Sequence, residues 1–237
     1  MDSNPAIVVF AGPSLPRASR PADEVFAWRP PAIAGDAFRL AARPPQVVVL
    51  IDGLFDEQPA IRHKELLEII AQGVVVVGGA SMGALRAAEL QSFGMIGVGR
   101  IFEAFASGRL VGDDEVALLH GPEAWDWLIL TEPLVNVRAT LQRAVRERII
   151  DIGVAKRLLG AARSLFYKER TWPTILEDVA AEGFRAWLGS GRVDLKKRDA
   201  LACIERARTL VGAPPILRPR PPRTVFTERL LKHAAGL

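Results

Sequence analysis

A run of valines followed by glycines and a serine constrains the fold of this chain more than any other feature. Residues 74–77 are all β-branched, which is typical of a strand buried on both faces of a sheet. The segment 78–83, GGASMG, follows directly, and the next residues, ALRAAEL, are mostly strong helix formers. The pattern therefore predicts a strand, a tight turn and a helix, with Ser81 at the bend.

The same stretch contains G-x-S-x-G in the context of a nucleophile elbow. In such an elbow the glycines allow a sharp turn, and the serine hydroxyl is exposed at the carboxyl edge of the sheet. We expect the N–H groups of Ser81 and Met82 to point from the helix start toward an acyl oxyanion, a carboxylate or a phosphate. The alternative is a plain strand-to-helix turn in which Ser81 caps the helix. The other predicted binding residues here are Gly79, Ala80 and Gly83.

Two more apolar runs, 6–12 and 47–51, predict buried strands. A helix is predicted over 61–72, because its apolar residues recur at helical spacing. Strands alternating with helices are typical of an α/β fold, an open, mostly parallel sheet that is doubly wound, with helices on both faces. Ligands bind such sheets beyond the carboxyl ends of the strands. We therefore expect three residues in the strand-end turns to border the site: Gly12, Ser14 and Asp52.

The second half of the chain is predicted to be helical. Apolar spacing there favours four helices, over about 135–149, 154–166, 173–188 and 195–211. Further elements are predicted as a short strand at 96–98, a short helix at 100–107 and an edge strand at 116–119. The predicted organisation is an α/β core domain (1–135), a helical region (136–212) and a Pro-rich tail with a short terminal helix (213–237).

Composition limits the compartment and the partners. No apolar run reaches the ~18 residues of a membrane span, and the N-terminus lacks the basic segment of a signal peptide. The single cysteine, Cys203, allows neither an internal disulfide nor a Cys-based metal cage. The formal net charge is +4, with many basic residues in the second half, which favours an acidic partner. We expect a cytoplasmic protein without cofactor, metal, membrane or nucleic-acid binding.

A serine nucleophile needs a base, and the sequence offers two histidines for that role. His63 begins the helix after the second predicted strand, and Asp52 ends that strand. Asp52, His63 and Ser81 would form an acid–base–nucleophile set. The alternative is that Asp52 stabilises a turn and His63 lies on a helix surface. His120 is the rival base, with Asp113 and Asp114 as orienting acids.

Other charged residues have both a binding and a structural interpretation. Arg86 and Lys64 are candidates to neutralise an anionic group near Ser81, while Arg86 can equally form a surface i,i+3 pair with Glu89. The acidic run that ends in Glu115 could hold a divalent metal together with His120, or form a solvated loop. The secondary candidates for the site are Glu65, Glu89, Asp113, Asp114, Glu115 and His120.

Five long segments of the chain resemble the TfuA-like family: IDGLFDEQPAIRHKELLEIIAQG, VVGGASMGALRAAEL, FGMIGVGRIFEAF, GDDEVALLHGP and LVNVRATL. They span about residues 47–150 in the family's order. The resemblance implies an accessory protein of a YcaO-type ATP-dependent enzyme that installs backbone thioamides in ribosomally made peptides. The motif positions carried over are Asp52, His63, Lys64, Glu65, Ser81, Arg86, Asp113, Asp114, Glu115 and His120.

The resemblance also implies that the chain supplies sulfur to the YcaO partner. The sulfur would come from a thiocarboxylated, ubiquitin-like sulfur-carrier protein, and the precursor peptide would be met only indirectly. Thiocarboxylate hydrolysis requires a nucleophile, an oxyanion hole and a slot for a flexible tail, which agrees with the predicted serine turn. Two alternatives are a non-catalytic adaptor that recruits the YcaO enzyme and a small-molecule esterase or amidase.

Overall fold

Five parallel strands form a single sheet in this computed structural model, which describes residues 5–54, 58–215, 218–222, 224–225 and 228–229. The strands are β1 (Ile7–Phe10), β2 (Phe26–Arg29), β3 (Val47–Leu50), β4 (Val75–Gly79) and β5 (Ile96–Val98). Their spatial order is β2-β1-β3-β4-β5. The connection after β1 leads to β2 on one side, and the connection after β3 leads to β4 on the other side. A crevice therefore opens beyond the carboxyl ends of β1 and β3.

Helices flank the sheet and then continue as a helical C-terminal region. They are α1 (Asp36–Leu40), α2 (His63–Ala71), α3 (Met82–Leu90), α4 (Arg100–Ala106), α5 (Leu134–Arg146), α6 (Ile152–Ser164), α7 (Trp172–Ile175), α8 (Glu182–Gly191) and α9 (Leu195–Arg208). The predicted α/β class with a helical C-terminal region is therefore confirmed.

Successive strand residues bury their side chains on opposite faces of the sheet, as the pleat requires. On β3, Val48 and Leu50 pack with residues of α1, α2 and α3, such as Leu66 and Ala87. Val47 and Val49 lie on the other face, where they pack with the apolar side of α9. The central strand is thus covered on both sides, which explains why its sequence is apolar without alternation.

The helical region divides between two layers. Residues of α5, α6, α7 and α8 form a core of their own, which includes Leu141, Leu158, Trp172 and Phe184. In contrast, α9 packs against β3, β4 and β5 and completes the second face of the sheet. The last helix therefore belongs to the same layered structure as the strands.

The structure contains one strand that was not predicted, and two predicted elements differ from it. The strand β2 lies in a segment for which no element was predicted, and residues 116–119 are not a strand of the sheet. The helix predicted over 173–188 is two helices, α7 and α8, and the Arg185 guanidinium of α8 donates a hydrogen bond to the Leu176 carbonyl at the end of α7. The predicted terminal helix within the tail falls largely outside the described residues.

No helix in the described part of the chain has both the length and the apolar composition required to cross a membrane.

Candidate functional site

Ser81 lies at a strained turn between β4 and α3. Its N–H donates a 2.7 Å hydrogen bond to the Gly79 carbonyl, which closes a three-residue γ-turn around Ala80. Ala80 has φ of +64°, a value that a residue with a side chain rarely adopts. Strain of this kind persists where the surrounding structure holds it and is concentrated at functional sites.

This turn changes the predicted oxyanion hole. The Ser81 N–H is already bonded within the turn, so it does not point to a ligand as predicted. Within the described residues the Met82 N–H has no partner, and it is the first N–H of α3. One backbone donor at the helix start therefore remains for an anion.

The glycines of the motif are required for close packing. A Cβ on Gly83 would overlap the Leu50 carbonyl oxygen, and the Gly83 N–H donates to the Ile51 carbonyl at 3.1 Å. A Cβ on Gly79 would overlap the sulfur of Cys203 on α9. These glycines bring α3 against β3 and α9 against β4, which holds Ser81 at the edge of the sheet.

Asp52, at the end of β3, organises the loop that follows β1. Its carboxylate accepts hydrogen bonds from the Gly12 N–H (2.8 Å), the Ser14 N–H (3.0 Å) and the Ser14 hydroxyl (2.6 Å). Both Asp52 and Ser14 are buried. Three donors satisfy a buried carboxylate that would otherwise be costly to remove from water. Gly12, Ser14 and Asp52 therefore lie together, and their hydrogen bonds fix the loop after β1.

A cavity of about 310 Å³ occupies the carboxyl edge of the sheet beside this loop. Asp52 and Ser81 line it from the sheet, and residues 116–122 form another wall. The Ser81 hydroxyl does not cap α3, and it has no hydrogen-bond partner among the described residues. An unpaired hydroxyl in a cavity is free to meet a bound ligand.

Lys196 of α9 lies in the same cavity and was not predicted as a site residue. It is 2% exposed, and its Nζ donates a 2.8 Å hydrogen bond to the Val116 carbonyl. Burial lowers the pKa of the Lys196 ammonium, while the nearby Asp52 and Asp194 carboxylates oppose that shift. A buried lysine with a lowered pKa can act as a proton acceptor. The sequence indicated only a basic helix, because the cavity is formed by segments far apart along the chain.

His120 also lines the cavity, as does Lys168. Its Nδ1 lies 2.8 Å from the Gly121 carbonyl oxygen, an arrangement that places the proton on Nδ1 and leaves Nε2 as an acceptor. The structure thus brings the rival base His120 into the cavity of Ser81. It does not bring Asp113 or Asp114 to His120 as orienting acids.

The other predicted base, His63, lies on the surface outside this cavity. Its Nε2 is 2.6 Å from the Glu89 carboxylate, to which Arg86 also donates at 2.7 Å. Glu89 is eight residues after Ser81 on α3, which corresponds to about 12 Å along the helix. No hydrogen bond joins His63 to Ser81 or Asp52 within the described residues. The predicted three-residue set is therefore not assembled.

The predicted charged neighbours of His63 have structural contacts. The Arg86 Nε donates to the Ile61 carbonyl at 3.1 Å, which ties α3 to the start of α2. Glu65 is buried and accepts hydrogen bonds from the N–H groups of Arg62 (3.0 Å) and Gly35 (2.7 Å). Burial raises the pKa of Glu65, against the effect of these bonds. Neither these residues nor Lys64 line the cavity.

The acidic run 113–115 is held by arginines. Glu115 forms a two-pronged ion pair with Arg138 of α5 at 2.6 and 2.9 Å, and the Arg170 guanidinium reaches the Asp114 carboxylate at 3.3 Å. Asp113 is exposed. In the described ranges of the chain, no group of three or more His, Cys, Asp or Glu side chains is arranged to hold a metal ion.

Cys203 lies on α9 under Gly79, fully buried. Burial raises the pKa of its thiol well above the ordinary value. A neutral, enclosed thiol is not a nucleophile, so Cys203 is a packing residue.

Comparison with known proteins gives a family for this chain. No curated protein sequence matches it. The family described as TfuA-like protein matches residues 52–171, just over half of the chain. The matched segment begins at Asp52, contains Ser81 and the cavity wall 116–122, and ends at α7. The chain therefore belongs to the TfuA-like family, which is associated with YcaO partners and YcaO-dependent thioamidation.

Proposed function

We propose that this protein hydrolyses the thiocarboxylate of a ubiquitin-like sulfur carrier and delivers the sulfide to its YcaO partner. One observation carries the proposal: the unpaired hydroxyl of Ser81 and the buried Lys196 lie in one cavity at the end of a parallel sheet. A serine and an amine that can lose its proton form a known variant of the nucleophile–base pair.

The first half of the proposed reaction forms an acyl-enzyme. Neutral Lys196 accepts the Ser81 hydroxyl proton as Oγ attacks the carbonyl carbon of the thiocarboxyl group. The tetrahedral intermediate then collapses, its carbon–sulfur bond breaks, and sulfur leaves as sulfide with the proton that Lys196 returns. The carrier tail remains bound to Ser81 as an ester.

The second half restores the enzyme. Lys196 takes a proton from water as the water oxygen attacks the ester carbonyl. The carbon–Oγ bond breaks, Lys196 returns the proton to Ser81, and the carrier acid loses the second proton of the water to solvent as it leaves as a carboxylate. The balance is one thiocarboxylate and one water consumed, and one carboxylate, one hydrosulfide and one proton released, without oxidant or reductant.

The electrostatics of the cavity support an anionic acyl substrate. The free Met82 N–H is at the positive end of α3 and can donate to the developing oxyanion. Lys168 adds positive charge to the cavity lining. The Asp52 carboxylate accepts hydrogen bonds from the N–H group of Gly12 and the hydroxyl of Ser14, which offset its negative charge.

The decisive experiment follows sulfide release from a thiocarboxylated carrier, with and without the YcaO enzyme. Ser81→Ala should reduce release at least about a thousandfold while circular dichroism stays unchanged. The matched control is Ser92→Ala, which truncates an exposed serine just after α3. Full release by Ser81→Ala would show that Ser81 is not the nucleophile.

An exposed apolar segment favours the adaptor as the second candidate function. Trp125 is 65% exposed and Leu128 57%, and Ile129 and Leu130 continue the same surface. Exposed apolar surface of this kind is typical of protein contacts. An adaptor would release no sulfide alone, and a Trp125→Ser variant would impair thioamidation more than Ser81→Ala. Hydrolysis of generic esters would instead favour a small-molecule esterase or amidase.

A further inference from the structure

A short two-stranded ribbon around the antiparallel bridge between His120 and Ile129 contributes to the lining of the candidate cavity. The Leu130 N–H donates to the Leu119 carbonyl at 2.9 Å, and the Gly121 N–H donates to the Leu128 carbonyl at 2.8 Å. These two bonds bracket His120 and Ile129, which face each other in antiparallel pairing. His120 and Ile129 are therefore a pair whose own backbone groups point away from the ribbon.

The ribbon has an unused hydrogen-bonding edge along the cavity. Backbone groups alternate in direction along a strand, so those of Leu118 and His120 point to the same outer side. Within the described residues, neither of these two has a partner for its backbone N–H or carbonyl. Both residues line the cavity, as do all residues of 116–122. Leu118 and His120 thus present unpaired backbone groups along the cavity wall.

We infer that this edge binds an extended peptide C-terminus by strand addition, with its terminal acyl group at Ser81. Strand addition uses main-chain hydrogen bonds for affinity and is a common mode of peptide recognition. The inference rests on the proposed function for what happens at the terminal group, whereas the binding mode rests on the edge alone.

The direction of the bound peptide follows from the position of Lys196. Its Nζ donates to the Val116 carbonyl, so the reactive end of the cavity lies at the Val116 end of the wall. A tail with its C-terminus there passes Leu118 and leaves beyond His120, antiparallel to residues 116–120. The cation Lys168 in the lining complements the negative charge of its terminal group.

Strand addition predicts an alternation that other binding modes do not produce. Leu118 and His120 are two residues apart, about 6.8 Å along the strand. They can pair with two tail residues that are likewise separated by one intervening residue. The amide of that intervening residue points away from the wall. Removing the backbone N–H groups of the tail one at a time should therefore weaken binding only at every second position.

The test uses N-methylated versions of a synthetic carboxylate peptide of about eight residues that ends in Gly-Gly. Their binding to the wild-type protein is measured by titration calorimetry. Methylation of the two pairing amides should each weaken binding about tenfold, and methylation of the amide between them should change it less than about twofold. A uniform effect, no effect, or no binding of the unmethylated peptide at millimolar concentration would overturn the inference.

A pair of variants tests the same edge from the protein side. Leu118→Pro removes an N–H that the free structure leaves unpaired and should weaken binding about tenfold. Leu118→Ala keeps that N–H and should retain most of the affinity. The peptide series decides the question even if the proline variant does not fold.

The outcome is separable from that of the proposed hydrolysis, because carboxylate peptides undergo no reaction. If binding alternates along the peptide but no sulfide is released from the carrier, strand addition is supported and the proposed hydrolysis is wrong. If sulfide is released but binding does not alternate, the hydrolysis is supported and strand addition is wrong.

Discussion

The Ser14 hydroxyl donates a 2.6 Å hydrogen bond to the Asp52 carboxylate, which joins the loop after β1 to the end of β3. Two backbone N–H groups of the same loop reach the other carboxylate oxygen. All of these groups are buried, so each depends on the others for its hydrogen bonding. The contact fixes the mouth of the crevice where the sheet order changes direction.

Removing the Asp52 side chain should therefore destabilise the fold strongly. Asp52→Ala leaves the Ser14 hydroxyl and two buried N–H groups without partners, and we expect a loss of about 3–5 kcal/mol. Ser14→Ala alone should cost about 1–2 kcal/mol, and the double variant should cost less than the sum. Denaturant unfolding measures these free energies.

The matched control for this change is Asp178→Ala, which removes an exposed aspartate in the turn after α7. Its effect on the free energy of unfolding should stay within about 0.5 kcal/mol. An equally small effect of Asp52→Ala would mean that water replaces the carboxylate and that the loop does not depend on it.

Alanine substitution at two glycines should change the free energy of unfolding in opposite directions. A Cβ on Gly83 would overlap the Leu50 carbonyl oxygen, so Gly83→Ala forces α3 away from β3 and should cost about 3 kcal/mol or more. Gly160 lies within α6 with no atom within 4 Å of an added Cβ. Gly160→Ala should stabilise the protein by about 0.5–1 kcal/mol, through helix propensity alone.

Thermal unfolding of the two variants measures both changes. If Gly83→Ala were as stable as the wild type, the contact between the start of α3 and β3 would be looser than the structure has it. The close approach that holds Ser81 at the sheet edge would then lose its explanation.

The parallel core was predictable from the sequence because its central strands are continuous apolar runs. Val47–Leu50 on β3 and the pair Val76 and Val77 on β4 are buried, and such strands stand out from their surroundings. The edge strand β2 was missed because only Phe26 of its four residues is fully buried and Pro30 follows directly. A short edge strand carries little apolar signal, and its pairing with β1 is a tertiary effect.

The site was predictable only where its residues follow strands. Ser81 and Asp52 come directly after β4 and β3, so the rule for ligand binding in parallel sheets places them together. Lys196 lies in the first turn of α9, far along the chain, and nothing in its local sequence distinguishes it from the adjacent Lys197. Its burial results from α9 packing on the sheet, a contact that no local pattern encodes.

The buried Lys196 should make stability depend on pH. Its pKa is lowered in the folded chain from 10.5, so between the lowered value and 10.5 the unfolded chain binds more protons. The free energy of unfolding should therefore rise with pH over that interval. Lys196→Met lacks this contribution, so the stability of the wild type relative to the variant should increase as the pH rises toward 10.5. A constant difference in urea unfolding would contradict the lowered pKa.

The rate of sulfide release should rise with pH for the same reason. The base in the proposed reaction is the neutral amine, whose fraction grows tenfold per pH unit until the lowered pKa is reached and the rate levels off. Lys196→Arg keeps the positive charge but cannot lose its proton, and it should lower release about a hundredfold or more. His120→Asn tests the rival base. If Lys196 is the base, this variant should lose less sulfide release than Lys196→Arg does.

Replacement of His63 separates the base predicted from sequence from the one inferred from structure. His63 is 46% exposed and pairs with Glu89 outside the cavity, so His63→Ala should change sulfide release less than about twofold. The variant loses one surface ion pair, which should reduce the free energy of unfolding by only about 0.5 kcal/mol. Sulfide release from the carrier is measured at a single pH for His63→Ala and for Lys196→Met, and the two rates are compared. A large loss with His63→Ala and a small one with Lys196→Met would require α2 to move toward Ser81 when the carrier binds, and would restore His63 as the proton acceptor.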